Sequence, residues 1–357
     1  MERNGVISFW KFAFALLIVF FHGKILGSSS DTIIGLGGYI GVEFFFIVSG
    51  VFLASSIVKK FDHDTSTLGK ETVLFIAKKI KTFFPYLLLA YILLIPLYIF
   101  KYDVSFSNLL SSIWELLLLN ESGIRHFSIN TPVWYLSSMI LSMFIIYPLM
   151  RKFKMNYVYI VAPLVVYLGI GYLNHLFVGL DHTVSWTGFT LHNNIRAFSE
   201  LNLGIIIYFL IDKIKNIKFT SLGIFILTFI EMFCLSCPFI ISTIINNSPR
   251  YDFIMLFIMA IGILIAMGNI TLEKRFLNNK FIYFLEKLSL VIFIFHGFCL
   301  KITVLYTKNI GLNYYEKLVI YLGLTLLVSI IIYILVEFLK KRGFFIEKIK
   351  RLFVISD

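Results

Sequence analysis

The chain has 357 residues, of which 59% are hydrophobic and only 15% are charged. A soluble globular chain carries about 45–50% apolar and about 25% charged residues, and surface-to-volume scaling limits the apolar surface that one soluble core hides. These proportions exclude a soluble enzyme, a soluble DNA-binding protein and a disordered scaffold, and they indicate a polytopic membrane protein. In such a protein, we expect a net charge of +12 to reflect lysines and arginines on one side of the membrane, with no nucleic-acid partner.

Ten stretches along the chain are long and apolar enough to cross a bilayer as helices. A spanning helix needs about 17–25 mostly apolar residues, and it satisfies its own backbone hydrogen bonds. The predicted spans are 6–26, 37–57, 83–100, 131–150, 156–174, 197–212, 219–239, 251–268, 288–305 and 316–338. The stretch 106–119 is apolar but shorter, so we predict an interfacial or re-entrant helix there. The predicted fold is an all-α integral membrane protein, a bundle of about ten transmembrane helices.

The positions of the lysines and arginines predict how this bundle is oriented. With the N-terminus in the cytoplasm, most of the 32 basic residues fall in cytoplasmic loops, among them those at 78–81 and 340–342. The positive-inside rule then predicts a multi-pass cell-membrane protein with both termini cytoplasmic. We predict one polytopic domain over residues 1–340 and a short basic cytoplasmic tail over residues 341–357.

The first predicted span carries two ionisable residues, Lys11 and His22. Eleven positions make three helical turns, so the two side chains share one helix face with about 16 Å of rise between them. Ionisable groups at membrane depth are costly, which makes both residues functional candidates. Lys11 is expected near the cytoplasmic end and His22 in the outer half. The alternatives are a snorkelling interfacial lysine and a hydrogen-bonded packing histidine.

Glu43 lies in the second predicted span, at the same expected depth as His22 on the antiparallel neighbour. A carboxylate beside an imidazole fixes the tautomer of the ring and raises its basicity. The sequence therefore predicts a His22–Glu43 pair. Small residues near Glu43, including Ser49 and Gly50, favour close helix packing.

These motifs resemble the membrane-bound acyltransferase 3 family, in its stand-alone polysaccharide O-acetyltransferase form. The resemblance begins with a basic residue, Lys11, that is separated from His22 by ten residues, and with the sequence Gly-Val-Glu-Phe-Phe that contains Glu43. Further matches follow in chain order at Trp134-Tyr135-Leu136-Ser137, Arg196-Ala197-Phe198, Gly204, Ser289 through His296, and Glu337. The chain departs from the family where Arg-x-x-Arg precedes a proline, since it has Lys79 and Thr82 there, and where the usual Asp is Glu43.

The resemblance implies transfer of an acyl group, usually acetyl, from cytoplasmic acyl-CoA to a hydroxyl of an extracytoplasmic or membrane-linked glycan. Capsule, exopolysaccharide and lipopolysaccharide are the expected acceptors, acetyl-CoA is a donor substrate, and neither a bound cofactor nor a metal is expected. His22, oriented by Glu43, is the expected general base. The basic side chains expected to bind the donor phosphates are Lys11, Lys78, Lys79 and Lys81.

Residues at outer helix ends are candidates for contacts with the acceptor or the thioester carbonyl: Trp134, Tyr135, Arg196 and His296. Trp and Tyr also form interfacial belts, arginine also anchors helices at the interface, and a packing role suits the histidine equally well. The expected partners are acyl-CoA, the glycan, the lipid bilayer and glycan-assembly proteins. The alternative function is a transporter or flippase that uses the intramembrane Lys, His and Glu as a relay, although the two halves lack matching interrupted spans.

Overall fold

The computed structural model describes residues 3–28, 33–177, 179–182, 185–244 and 251–342. Over these ranges the chain is helical, and the β-structure described is one isolated bridge between Trp186 and Leu191. Most of the predicted basic tail, residues 343–357, lies outside the described residues.

Thirteen α-helices occur in the described ranges. They are α1 Gly5–His22, α2 Gly41–Val58, α3 Leu68–Tyr102, α4 Phe106–Ser111, α5 Ile113–Leu116, α6 Trp134–Phe153, α7 Ala162–Leu176, α8 His192–Lys215, α9 Ser221–Ile244, α10 Asp252–Gly268, α11 Lys274–Leu277, α12 Lys280–Thr307 and α13 Tyr314–Lys341.

Each predicted span coincides with one of the long helices, and the all-α membrane class is confirmed. Within the described ranges, eight helices are long and apolar enough to cross a membrane. The other two predicted spans are α10, which has 17 residues, and α8, which carries several charged and amide side chains. The ten-span topology therefore stays a prediction. The segment 106–119 forms only the short helices α4 and α5, which are too short to cross a bilayer.

Helix α3 is much longer than its predicted span, because it continues N-terminally through a polar stretch that hydropathy does not mark. It has 35 residues and begins at Leu68. Glu71 in its first turn lies 3.3 Å from Lys60 Nζ and 3.5 Å from a guanidinium nitrogen of the buried Arg151. These ion pairs attach the extension to the segment just after α2 and to the C-terminal end of α6.

Two pairs of helices position the charged side chains. Helices α1 and α12 run parallel, since Lys11 contacts Glu286 and His22 contacts His296 in the same order along both. Helices α2 and α8 make the most extensive helix contact. A Cβ added at Gly50 would meet the backbone of Leu201, and one at Gly204 would meet the backbone of Ile47. The close packing expected around Gly50 is thus present.

Candidate functional site

The two histidines singled out from the sequence lie side by side. The ring centroids of His22 and His296 are 4.9 Å apart, with the ring planes tilted by 39°. His296 is buried, and its Nδ1 lies 3.2 Å from the carbonyl oxygen of Ile292. A carbonyl only accepts, so Nδ1 carries the proton and Nε2 keeps a lone pair. That Nε2 has no hydrogen-bond partner among the residues that the structure describes.

The helical repeat of α1 explains why His22 meets α12. Lys11, Ala15, Val19 and His22 follow one another at spacings of three or four, so they form one stripe on the helix. Ala15 and Val19 pack with Ile292 and other side chains of α12 in one apolar cluster. The stripe therefore faces α12, with Lys11 at one end and His22 at the other.

The predicted pairing of His22 with Glu43 is wrong. Glu43 is fully buried, and its carboxylate forms an ion pair with Arg196 of α8. Equal depth brings two side chains together only if both helices also turn the right face toward each other. Glu43 lies on the face of α2 that also carries Ile47 and Gly50, and this face packs against α8.

Arg196 is enclosed by groups of its own chain. It is only 1% exposed, and it donates to the backbone oxygens of Leu180 and Tyr39 at 3.2 and 3.4 Å. Its Nε lies 3.7 Å from the carboxylate of Glu200, and its guanidinium lies 5.5 Å from the ring centroid of Trp134. This burial does not fit a side chain that anchors a helix at the membrane interface. In this structure Arg196 is also not exposed to an acceptor, as the predicted acceptor contact would require.

A cavity of about 490 Å³ lies between α1, α2, α3, α6, α12 and α13. We call it the donor cavity because lysines that were predicted to bind the donor line it. Its charged lining residues are Lys11, Lys79, Glu286, Lys287, Glu337 and Lys340. Two of the predicted donor residues, Lys11 and Lys79, are thus brought together from distant parts of the chain. Lys287 and Lys340 were missed as site residues, although Lys340 was expected on the cytoplasmic side.

Lys78 and Lys81 do not line this donor cavity. Lys79, Thr82, Phe83 and Tyr86 do line it, because spacings of three, four and seven keep them on one face of α3. Lys81 is two positions from Lys79, which turns it to the opposite, exposed side. Lys78 lines an adjoining cavity of about 420 Å³, beside Lys60 and Glu71. Lys79 and Thr82 line both cavities.

The charges around the donor cavity are only partly neutralised. Lys11 Nζ lies 2.7 Å from Glu286 Oε1, and Lys340 Nζ lies 3.0 Å from Glu337 Oε1. Lys79 and Lys287 have no ion pair in the described part of the chain. Four lysines against two glutamates leave the cavity with excess positive charge, which favours a polyanionic ligand.

The deep end of the donor cavity is aromatic and stops next to the histidines. Tyr135 lines it, and its hydroxyl lies 3.5 Å from Ser49 Oγ. The Phe293 ring centroid is 5.3 Å from that of Tyr135 and 6.0 Å from that of His296. Phe293 precedes His296 by three residues, so the cavity ends about one helical turn from the histidine pair. Trp134 instead faces Arg196.

Glu115 lies in the short apolar stretch 106–119 and was not predicted to be a functional residue. Its buried carboxylate accepts hydrogen bonds from the Tyr91 hydroxyl at 2.7 Å and from the backbone of Ile129 and Asn130 at 2.8 and 3.1 Å. The Asn130 side chain donates to the carbonyl oxygen of Ile294 at 3.1 Å. Glu115 therefore holds the loop that contacts α12 two residues before His296. An acidic residue isolated in an apolar stretch is the signal that could have identified it.

Comparisons with known proteins give one match. A family model described as an acyltransferase domain matches residues 5–334. No curated protein and no solved structure matches the chain. Within the described ranges, no group of three or more His, Cys, Asp or Glu side chains is arranged to hold a metal ion.

Proposed function

The chain belongs to the acyltransferase domain family, and from this premise we propose that it transfers an acyl group, usually acetyl, from cytoplasmic acyl-CoA to a glycan hydroxyl. The acceptor is extracytoplasmic or membrane-linked, in the class of capsule, exopolysaccharide or lipopolysaccharide. The observation that carries the proposal is the lysine-lined donor cavity, whose aromatic end lies about one helical turn from the His22–His296 pair. The protein then works in the cell membrane with both termini in the cytoplasm.

The donor cavity suits the shape and charge of acyl-CoA. The nucleotide end of this donor carries phosphates, and Lys79, Lys287 and Lys340 offer charge-assisted hydrogen bonds to them. Lys11 supplies a fourth cation if its contact with Glu286 opens or is shared. The narrow pantetheine arm follows the cavity toward Tyr135 and Phe293, so the thioester comes to lie near the histidines.

The histidine pair supplies the proton transfer that the reaction needs. His22 takes the proton of the acceptor hydroxyl as that oxygen attacks the thioester carbon. The carbon–sulfur bond then breaks, and the CoA thiolate leaves and is protonated. The Tyr135 hydroxyl at the deep end of the cavity is a candidate donor to the carbonyl oxygen, where negative charge develops. His296 contributes an unpartnered Nε2 beside His22.

The test uses the whole protein in proteoliposomes with acetyl-labelled acetyl-CoA on one side and glycan on the other. We expect the label on the glycan and one equivalent of free CoA thiol, with the donor needed on the side of the cavity lysines. A transporter or flippase would move solute without releasing thiol, and this result would refute the proposal. Lys81→Met is the matched control, since Lys81 is exposed and outside the cavity.

A further inference from the structure

Two further cavities meet at Glu121, away from the donor cavity. The first, here the loop cavity, has about 450 Å³ and is lined by Asn120, Glu121, Gly123, Ile124, Arg125, His126, Trp186 and Leu191. The second, here the α6–α7 groove, has about 840 Å³ and lies between α6, α7 and α8. Glu121 lines both cavities, so the two adjoin at this side chain.

The α6–α7 groove is apolar along the membrane-spanning helices and polar at one end. Leu141, Ile145, Leu164 and Leu168 form its apolar part. Its other end carries the polar side chains Glu121, Ser122, Thr190 and Asn194. This is the profile of an amphiphile, with a hydrocarbon chain in the membrane and a polar group at its surface.

Two buried amide oxygens near Glu121 lack donors. Asn194 Nδ2 donates to the Glu121 carbonyl at 2.7 Å and to Thr190 Oγ1 at 2.9 Å, so its Oδ1 faces the other way. That Oδ1, and the Oδ1 of Asn120, have no hydrogen-bond partner within the described ranges, and Asn120 is only 5% exposed. A buried oxygen without a donor is unfavourable, and a ligand rich in hydroxyl groups supplies the missing donors. A bilayer lipid tail has no such donors.

The loop cavity also provides the other contacts that a sugar uses. Trp186 is 56% exposed and lies beside Gly123, whose positive φ of 91° favours glycine and so leaves no side chain next to the indole. An exposed indole face accepts the apolar face of a sugar ring. Burial raises the pKa of Glu121 to about 7, so near neutral pH its carboxyl both donates and accepts hydrogen bonds. Arg125 offers a cation for a phosphate.

We propose that the acceptor is a lipid-linked glycan, with its sugar in the loop cavity and its hydrocarbon chain in the α6–α7 groove. This inference rests on the proposed acyl transfer and makes its acceptor specific. A free polysaccharide has no part that fills the groove, and a phospholipid such as phosphatidylethanolamine has no ring for Trp186 or hydroxyl donors for Asn120 and Asn194.

The test measures binding without an acyl donor, so its result is separate from that of the transfer assay. The probe is a polyprenyl diphosphate-linked disaccharide with a photoreactive group in its hydrocarbon chain, added to the whole protein in detergent–lipid micelles. We expect crosslinks on α6 and α7, displaced by unlabelled glycolipid but not by the sugar-free polyprenyl phosphate. Equal displacement by the sugar-free lipid means an ordinary lipid site and overturns the inference, as do crosslinks confined to other helices.

Substitutions in the two cavities test whether the glycolipid occupies them, by comparison with a substitution outside both. Leu168→Trp and Ile145→Trp narrow the groove from opposite sides, and Trp186→Ala removes the indole; each is expected to lower crosslinking about tenfold. Ile226→Trp is the control, because Ile226 is a similarly exposed side chain on α9, outside the groove. If both groove variants crosslink like the wild-type protein, the hydrocarbon chain does not lie in the groove and the inference fails.

Discussion

Two helix pairs of this protein bury charged side chains and use them differently. Between α1 and α12, Lys11 and Glu286 line the donor cavity, and the histidine pair lies about one turn beyond its end. Between α2 and α8, Glu43 and Arg196 form an ion pair with both side chains 0% exposed, and neither lines that cavity. Glycines bring the α2 and α8 backbones into contact. Lys11 of α1 and Lys287 of α12 instead line an open cavity.

The difference shows that membrane-depth charge marks a functional candidate but does not define its role. A charge that opens on a cavity is available for a substrate. A charge enclosed by its own partners holds helices in register, and it becomes costly when one partner is removed. Substitutions of the charged residues between α1 and α12 should therefore change catalysis and donor affinity. Substitutions of those between α2 and α8 should change the stability of the fold.

The largest expected effect is that of His22→Ala on the rate. Loss of the general base should lower acyl transfer by about 10²- to 10⁴-fold, while the melting temperature stays near that of the wild-type protein. The rate is measured with labelled acetyl-CoA, and the exposed His175→Ala is the control. Transfer by His22→Ala at the wild-type rate would contradict the mechanism.

Arg196→Met should act on stability. It leaves Glu43 and Glu200 buried without their cation, which is expected to lower the free energy of unfolding by about 3–5 kcal/mol. The double variant Arg196→Met/Glu43→Gln should recover part of this loss, as thermal unfolding in detergent would measure. An unchanged melting temperature together with weaker acceptor binding would instead make Arg196 a substrate-binding residue.

A smaller stability effect is expected from closing the contact between α2 and α8. Gly204→Ala places a methyl group against the Ile47 carbonyl, and we expect a loss of about 1–3 kcal/mol. Gly171→Ala in α7 is the matched control, because no atom lies near the added Cβ, and helix propensity predicts a gain of up to about 1 kcal/mol. Equal melting temperatures for the two variants would show that α2 and α8 can accommodate a methyl group between them.

The smallest expected effect is on donor affinity, and it should differ between two lysines of α3. Lys79→Met should raise the KM for acetyl-CoA about tenfold, or about 1.4 kcal/mol, with a smaller change in kcat, since the lost contact binds donor and transition state alike. Lys81→Met should leave the KM unchanged, because Lys81 is exposed on the other side of α3. With a truncated pantetheine thioester, which lacks the nucleotide phosphates, the Lys79 effect should disappear. If it persists, Lys79 does not bind phosphate.

Much of this molecule could be predicted from local sequence features. Apolar length located the helices, because a helix in lipid satisfies its own backbone and its apolar content is a local property. Helical pitch placed Lys11 and His22 on one face, and the structure keeps them on one stripe facing α12. The motifs identified the family that the match over residues 5–334 confirms.

Tertiary structure decided which charged groups meet. The partner of Glu43 is Arg196, more than 150 positions away in the chain, and the partner of Lys11 is Glu286. The cavity side of α3 includes Lys79 and excludes Lys81. Such contacts depend on which helices are neighbours and on the rotation of each helix about its axis. Both are set by packing over the whole bundle, so no local stretch of sequence contains them.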